Sequence, residues 1–436
     1  MTDFYDALEA RGPAEREAAL LASLPAHVAH AQSATGVYAE LLAGVQADQI
    51  DSRAALARLP VMRKSELFER QKALRTAALN AGPGGHAPHD PFGGFSSIGW
   101  RGMLRSQGAR RVFQSPGPIY EPESLGSDPW RMGRAIHAAG FRANDLAHCS
   151  FSYHLTPAGA MMEGGAHAVG CTTFAGGIGN TEMQLQAVAD LRPQGYIGTP
   201  SFLKILVEKA AETGVDIRSL TKGLVGGEAF PPSLRDWLLA RGLDVYQSYA
   251  TAEAGLIAYE TSARQGLVLD ESVLLEIVRP GTGDTVPDGE VGEVVVTVFN
   301  PGYPMLRFGT GDLSAVLAGH CPTGRSNVRI KGWLGRADQT TKVRGMFVHP
   351  SQVAEIARRH PEIGRARLVI EGEMANDRMS LRIEVAGAPG AVIEGLAAAV
   401  ASSARDVTKL RADIQLVAPG SLPNDGKVIE DARSYS

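Results

Sequence analysis

The sequence contains no apolar run near the roughly 18 residues that span a bilayer, and no basic start followed by an apolar stretch. Neither a membrane span nor a secretory signal is expected. Cysteine is scarce. Cys149, Cys171 and Cys321 form no CxxC and cannot all pair, which points to a reduced, cytoplasmic chain rather than a disulfide framework. Also missing are GxxxxGK[ST], HExxH, GxSxG and a complete GxGxxG, so the usual nucleotide, metalloprotease and hydrolase signatures are excluded. Gly177-Ile178-Gly179 lacks the third glycine of a dinucleotide fingerprint and reads as a turn. There is no excess of positive charge: 43 basic and 47 acidic residues give a net charge of -4. Nucleic acid is therefore not an expected partner.

What is present suits a large folded protein. The 436 residues correspond to about three domain-sized units, and 44% hydrophobic content excludes global disorder. The 50 glycines suggest many tight loops around a site. Residues 1–80 read as helical, with apolar positions at Leu20, Leu21, Leu24, Val28, Leu41 and Leu42. Leu59–Leu67 reads as a short extended piece entering a helix, and 81–95 as a Gly/Pro-rich loop. Residues 100–260 alternate strand and helix. Ala168–Phe174, Gly195–Thr199, Leu224–Val225 and Asp244–Tyr249 are strand-like. Thr181 with Gln184 forms a capping box, and Thr199-Pro200 starts a helix. Residues 266–335 are β-rich. A small α+β unit follows, so 1–337 and 338–436 are the expected domains. The fold class is α/β with doubly wound sheets.

His148, Cys149, His154, His167 and Cys171, with His320-Cys321, are residue types that bind zinc. Their spacings match no standard knuckle and they fall in different elements, so packing is the expected role.

Four segments in the second half share groups suited to a nucleotide. Tyr249-Ala250-Thr251-Ala252-Glu253-Ala254-Gly255 ends a strand: a ring can stack on a base, a hydroxyl can meet a phosphate, and a carboxylate can hold Mg²⁺. In Arg307-Phe308-Gly309-Thr310-Gly311-Asp312, a carboxylate after a glycine turn can accept ribose hydroxyls. Gly335-Arg336-Ala337-Asp338 and Lys342-Val343-Arg344-Gly345 lie at the expected boundary. Leu422-Pro423-Asn424-Asp425-Gly426-Lys427 puts a lysine on a glycine turn. Singly, Tyr249 reads as a core aromatic, Asp312 as a turn former, Arg336 as a surface ion pair and Lys427 as a solvated tail residue. Their order and separation are far more specific.

On these segments, with LARLPVMRKSEL (56–67), YPMLRFGTGDL, IKGWLGRADQTTKVRGMFVHPSQV and LPNDGKVIEDAR, the chain resembles the phenylacetate–coenzyme A ligase branch of the adenylate-forming superfamily. The resemblance implies a large N-terminal domain, a mobile C-terminal lid, and ATP-dependent joining of an acid to coenzyme A through an acyl-adenylate, with Mg²⁺. It places Tyr249 against adenine, Thr251 near the α-phosphate, Glu253 on Mg²⁺, and Asp312 on the ribose. Gly227, Glu228 and Ala250 border the nucleotide. Arg336 contacts ribose or phosphate, Asp338 is the hinge, and Lys427 contacts the acid and α-phosphate. Phe151, Tyr153, His154 and Gly226 border the acyl group, whose aromatic surroundings suggest a flat or aromatic acid. His167 also has a family counterpart. A homodimer fits the family habit.

The phosphate loop departs from that pattern. Where the family carries a lysine-containing loop of the form SSGTTGKPT, this chain reads Phe113-Gln114-Ser115-Pro116-Gly117-Pro118-Ile119-Tyr120-Glu121-Pro122. Only Ser115 and Gly117 match. Three prolines remove backbone donors, the lysine is gone, and Glu121 adds negative charge. Three readings follow. The chain is a ligase that holds the triphosphate differently, through Arg110, Arg111 or Ser115. It is a protein of the same fold that binds AMP, an acyl-adenylate or a CoA thioester without adenylating. Or it loads the acyl group onto a carrier protein.

Overall fold

The computed structural model describes residues 3–80, 90–100, 108–279, 283–337, 339, 341–372, 376–385, 393–423 and 428–433. The chain divides into two compact units, one within residues 1–335 and one formed mainly by 336–436.

The first unit opens on the helix Pro13–Ala34, which has proline in its first turn. Leu24, Val28 and Ala31 recur on one helical face and are fully buried. His27 shares that burial. Its ring lies 5.0 Å from Phe299, and burial, helped by His30, pulls its pKa down to about 4. A depressed histidine stabilises the fold in its neutral form. That contribution is complete above the unfolded value of about 6.5 and is lost as pH falls through about 4. Calorimetry of wild type and His27→Gln over this window should show the variant losing less stability on acidification, by up to about 3 kcal/mol.

A four-stranded sheet packs under the amino-terminal helices. Its order is Met62–Arg63, Met305–Ser314, Gly292–Val298, Val273–Val278. Met62–Arg63 pairs parallel with Phe308 and Gly309, so the short extended piece read from the sequence is real and leads directly into the helix Lys64–Asn80. Arg307 fastens this corner. It is 2% exposed, pairs with Glu276 at 2.9 Å, and donates to the carbonyls of Ala57, Leu59 and Gly283.

A nine-stranded sheet is the largest sheet of the unit. Its parallel part runs Thr172–Ala175, Leu146–Cys149, Gly195–Gly198, Lys222–Val225, Asp244–Thr251. In chain order this is 2-1-3-4-5, a doubly wound arrangement whose switch lies between the strands at 146 and 195. Gly255–Glu260, Leu267–Leu269, Arg329–Ile330 and Val316–Leu317 continue it antiparallel.

Three local readings differ from the structure. Ala168 and Val169 end the helix Ala158–Val169, which stops at Gly170 with φ +93°. The strand is only Thr172–Ala175, at the sheet edge and incompletely buried, so its short length and edge position replace the buried strand expected. Thr181 is the first residue of its helix rather than the cap. Asn180 is the cap, and no side-chain cap bond is made; with the cap one residue earlier, Gln184 stands at the fourth helical position and its amide bonds elsewhere. Gly309–Asp312 is not a free turn: it lies in the ten-residue strand Met305–Ser314. Glu293 pairs with Leu313 and Val295 with Gly309, so Thr310–Asp312 form a bulge with Gly311 at φ +73°.

In the second unit, a sheet ordered Asp413–Val417, Arg378–Val385, Ile363–Glu371, Ile429–Asp431 packs with the helices Pro350–Arg358 and Ile393–Thr408 around Ile356, Leu368, Leu381, Ile383 and Val400. The strand Ile429–Asp431 was not anticipated.

Candidate active site

The parallel strands bring their carboxyl ends to one edge, where open α/β sheets bind ligands. Leu146–Cys149 runs into Ser150 and Phe151, Gly195–Gly198 into Thr199, and Lys222–Val225 into Gly226, Gly227 and Glu228. The neighbouring strand Asp244–Thr251 carries Tyr249, Ala250 and Thr251 at its end. Gly226 needs its lack of a side chain: a Cβ there would lie 3.1 Å from both the carbonyl and hydroxyl oxygens of Ser248.

The bulge carrying Asp312 meets this edge. The Tyr249 hydroxyl donates to Asp312 Oδ2 at 2.8 Å and lies 3.1 Å from Thr310 Oγ1. Trp333 Nε1 donates to Asp312 Oδ1 at 3.1 Å. The Thr310 hydroxyl donates to the Val294 carbonyl and accepts from the Asp312 amide. Two segments that the sequence singled out separately are thus one hydrogen-bonded unit, and an aromatic ring and a carboxylate are held together. Thr310 and Trp333 were missed as parts of it; the tryptophan in GWLGRAD carried no local sign of this bond.

After the strand, the Ala254 amide donates to Thr251 Oγ1 at 3.0 Å. The threonine thereby closes the turn that carries Glu253. Glu253 is 3% exposed, and Lys64 Nζ lies 2.7 Å from its Oε1. Lys64 opens the helix Lys64–Asn80 and was also missed, since it reads locally only as a helix start.

Phe113–Pro122 folds as a hairpin, Val112–Ser115 against Ile119–Pro122, with a cis Gly117-Pro118 peptide. Pro116 and Pro118 occupy the turn, where no ladder donor is needed. Gln71, fully buried on the same helix as Lys64, accepts from the Tyr120 amide at 2.7 Å and donates to its carbonyl at 2.8 Å. Ser115 is buried and donates to Glu121 Oε2 at 3.0 Å. Glu121 is 2% exposed. Burial, and then the neighbouring negative charge of Glu253, push its carboxyl up to about 8, against the opposing pull of Lys64 and Ser115. Glu121 is therefore not a stray charge near solvent but part of a buried group with Ser115, Glu253 and Lys64.

Of the residues expected to border the acyl group, Phe151 is buried in a cluster with Trp130, Met161 and Leu224. Tyr153 is half-buried, and burial followed by Cys149 raises its phenol. His154 is exposed. The histidines and cysteines weighed as a metal site are engaged separately. His148 lies 2.7 Å from Gln184 Oε1 and stacks on Phe174; burial lowers its pKa. Gln184 also accepts from Ser150 and donates to the carbonyls of Gly177 and Gly179. His167 faces Thr173, and Cys171 donates to the Arg142 carbonyl. Among the described residues, no group of three His, Cys, Asp or Glu could hold a metal ion. No helix among them is long and apolar enough to cross a membrane.

Arg336 belongs to the second unit and is half-buried. Asp338 and Lys427 lie outside the described residues. Their neighbours are joined within the second unit: the Val428 amide donates to Gln339 Oε1 at 2.8 Å.

This edge, with its ring–carboxylate pair and buried acid, is that of a nucleotide-binding α/β protein. The family model described as AMP-binding enzyme matches residues 138–299. Phenylacetate-coenzyme A ligase of Thermus thermophilus is 30% identical over 313 residues, 68% of this chain and 69% of that protein. The enzyme of that name from Aromatoleum evansii is 28% identical over 358 residues, 78% of this chain and 75% of that protein. L-proline–[L-prolyl-carrier protein] ligase of Streptomyces coelicolor is 29% identical over 205 residues, 43% of this chain and 38% of that protein. The crystal structure of 2-hydroxyisobutyryl-CoA ligase with 2-HIB-AMP and CoA is similar over 98% of this chain and 92% of that one, with a TM-score of 0.79 and 25% identity. The chain belongs to the phenylacetate–coenzyme A ligase family of adenylate-forming enzymes.

Proposed function

We propose that this chain activates a carboxylic acid with ATP and transfers the acyl group to coenzyme A. The observation that carries this reading is the Tyr249–Asp312–Trp333 unit at the ligand edge of the sheet, in a chain of this family. Tyr249 lies against adenine and Asp312 accepts the ribose hydroxyls. Gly226 and Gly227 let the nucleotide and acyl group approach the backbone. Thr251 borders the α-phosphate, and Arg336 contacts ribose or phosphate.

A carboxylate attacking a triphosphate brings anions together, so cations must offset the charge. The family's loop lysine is absent, but Lys64 supplies an ammonium beside Glu253. Glu253 suits a cation: it is buried, and beyond the Lys64 ion pair at Oε1 its oxygens have no hydrogen-bond partner among the described residues. Mg²⁺ held there supplies charge neutralisation and polarisation of phosphoryl oxygens. Lys427 meets the acid and the α-phosphate during adenylation. Rotation about Asp338 then withdraws it and admits the thiol of coenzyme A. The thiolate displaces AMP, and the acyl C–S bond replaces the acyl C–O bond to phosphate.

Lys64→Ala should lower kcat/KM for ATP by about 100-fold, because a charge-assisted contact is lost and Glu253 is left buried without its partner. Lys64→Arg should recover part of the loss, and initial-rate kinetics reads both. Phe151 and Tyr153 favour a flat or aromatic acid. The overall reading is tested by incubating the chain with Mg-ATP, coenzyme A and a panel of aryl and alkyl acids, with mass detection of acyl-CoA and AMP. Substituting a carrier-protein thiol for coenzyme A tests the acceptor, a choice raised by the likeness to the prolyl-carrier ligase. AMP and acyl-CoA formed together support the reading. Binding of AMP with no product from any acid would contradict it.

A further inference from the structure

Glu121 has no place in the family's phosphate loop, yet the structure buries it beside Glu253. Both carboxylates are nearly inaccessible, at 2% and 3% exposed. Glu121 Oε2 accepts from Ser115. Among the described residues, its Oε1, Glu253 Oε2 and the Tyr303 hydroxyl have no hydrogen-bond partner, and Glu253 Oε1 has only the Lys64 ion pair at 2.7 Å. Tyr303 is 2% exposed, and the charges of Glu121 and Glu253 both act on its phenol. Buried polar atoms are satisfied in the great majority of cases. The three remaining oxygens, Glu121 Oε1, Glu253 Oε2 and the Tyr303 hydroxyl, belong to buried side chains close enough to act on one another, and they are donors of the kind a cation takes. Lys64 is a single positive charge, one third exposed, and its ammonium lies 2.7 Å from Glu253 Oε1. Ionising Glu121 beside Glu253, with one ammonium to two carboxylates, is costly in a dry site. A divalent cation reverses that balance and turns the site positive toward phosphate. Oxygen donors of this kind suit Mg²⁺ or Mn²⁺.

We propose that Glu121 is a second carboxylate ligand, with Glu253, of the divalent cation, and that the cation and Lys64 compete for Glu253. This rests on the reading of Glu253 as the metal carboxylate. It gives a physical role to the altered loop: the prolines and Gln71 fix the hairpin that carries Glu121, and a metal ligand takes over charge compensation from the lost lysine. Lys64, released from Glu253, is then available to the triphosphate.

The test is Mn²⁺ binding to the full chain without nucleotide, followed by electron paramagnetic resonance of the free ion. Wild type should bind one Mn²⁺. Glu121→Gln keeps the shape and the Ser115 bond, and should weaken that binding by about tenfold or more. Lys64→Met should tighten it severalfold, a result that a purely structural lysine would not give. Glu121→Gln binding Mn²⁺ as wild type does, or Lys64→Met weakening it, would overturn the inference. Acid-dependent pyrophosphate release on the same samples keeps the two readings apart. Release from wild type with Mn²⁺ affinity indifferent to Glu121 removes this inference and leaves the ligase. Mn²⁺ binding that needs Glu121, with no release from any acid, removes the ligase reading and leaves the cation site.

Discussion

Asp312→Asn is expected to raise the KM for ATP by about 100-fold while changing kcat less. Asp312 is 9% exposed, and both of its oxygens are engaged, one by the Tyr249 hydroxyl and one by Trp333 Nε1. A carboxylate oxygen has lone pairs to spare, so it can hold these donors and still accept from a ribose. An asparagine has one acceptor and one donor in the same place. With its oxygen accepting from the indole N–H, its NH₂ meets the tyrosine hydroxyl, which must give up its bond to this position and turn its proton to Thr310 Oγ1. The variant loses charge-assisted bonds of about 1.5–3 kcal/mol each and unpins the ring proposed to stack on the base. The effect belongs to nucleotide binding rather than to bond breaking, so the loss appears in KM. Equilibrium binding of AMP should weaken in parallel. Unchanged AMP affinity would show that Asp312 serves only to hold Tyr249 and Trp333.

Glu253→Gln is expected to act on the other parameter, lowering kcat for adenylation by about 100-fold to 1000-fold. The turn itself should survive, because it is closed by the Thr251 hydroxyl and the Ala254 amide rather than by the glutamate. What is lost is the negative charge proposed to hold a cation next to the triphosphate. Lys64 loses its partner as well, but it is one third exposed and can turn to solvent. The fold should therefore tolerate the change better than it tolerates Lys64→Ala, which strands a buried carboxylate. Single-turnover formation of the acyl-adenylate, read beside a thermal unfolding curve, separates the two effects. A variant that unfolds early, or one with wild-type turnover, would each contradict this account.

Much of the site was legible in the sequence because its motifs are local. The strand ending in Tyr249-Ala250-Thr251 and the glycines 226 and 227 each sit where the chain turns at the carboxyl end of a strand, and the alternation of strand and helix through 260 gives the α/β fold. What was not legible depends on partners far apart in sequence. Lys64 reads as a helix start, and only packing of that helix against the hairpin at 112–122 brings it to Glu253. Glu121 reads as a charge opposed to phosphate, and only its burial shows that it belongs to an internal group. Gln184 fits a capping box by spacing, yet it spends its amide on His148, Ser150 and two glycine carbonyls, which outbid the local cap. Asp312 was read after a glycine turn. It lies on a bulge inside a long strand, since pairing with Gly292–Val298 on both sides continues through the glycines. The region 168–174 has strand-like composition, but its first residues are drawn into a helix that packs on the sheet.

The measurement closest to the central claim is acid-dependent pyrophosphate release from Mg-ATP by the full chain, with Lys427→Ala beside it. The account predicts release that requires both an acid and Lys427, and that persists despite the proline-bearing hairpin at 112–122. No release with any acid, from a chain that still binds AMP, would contradict it and leave a nucleotide-binding protein that does not adenylate.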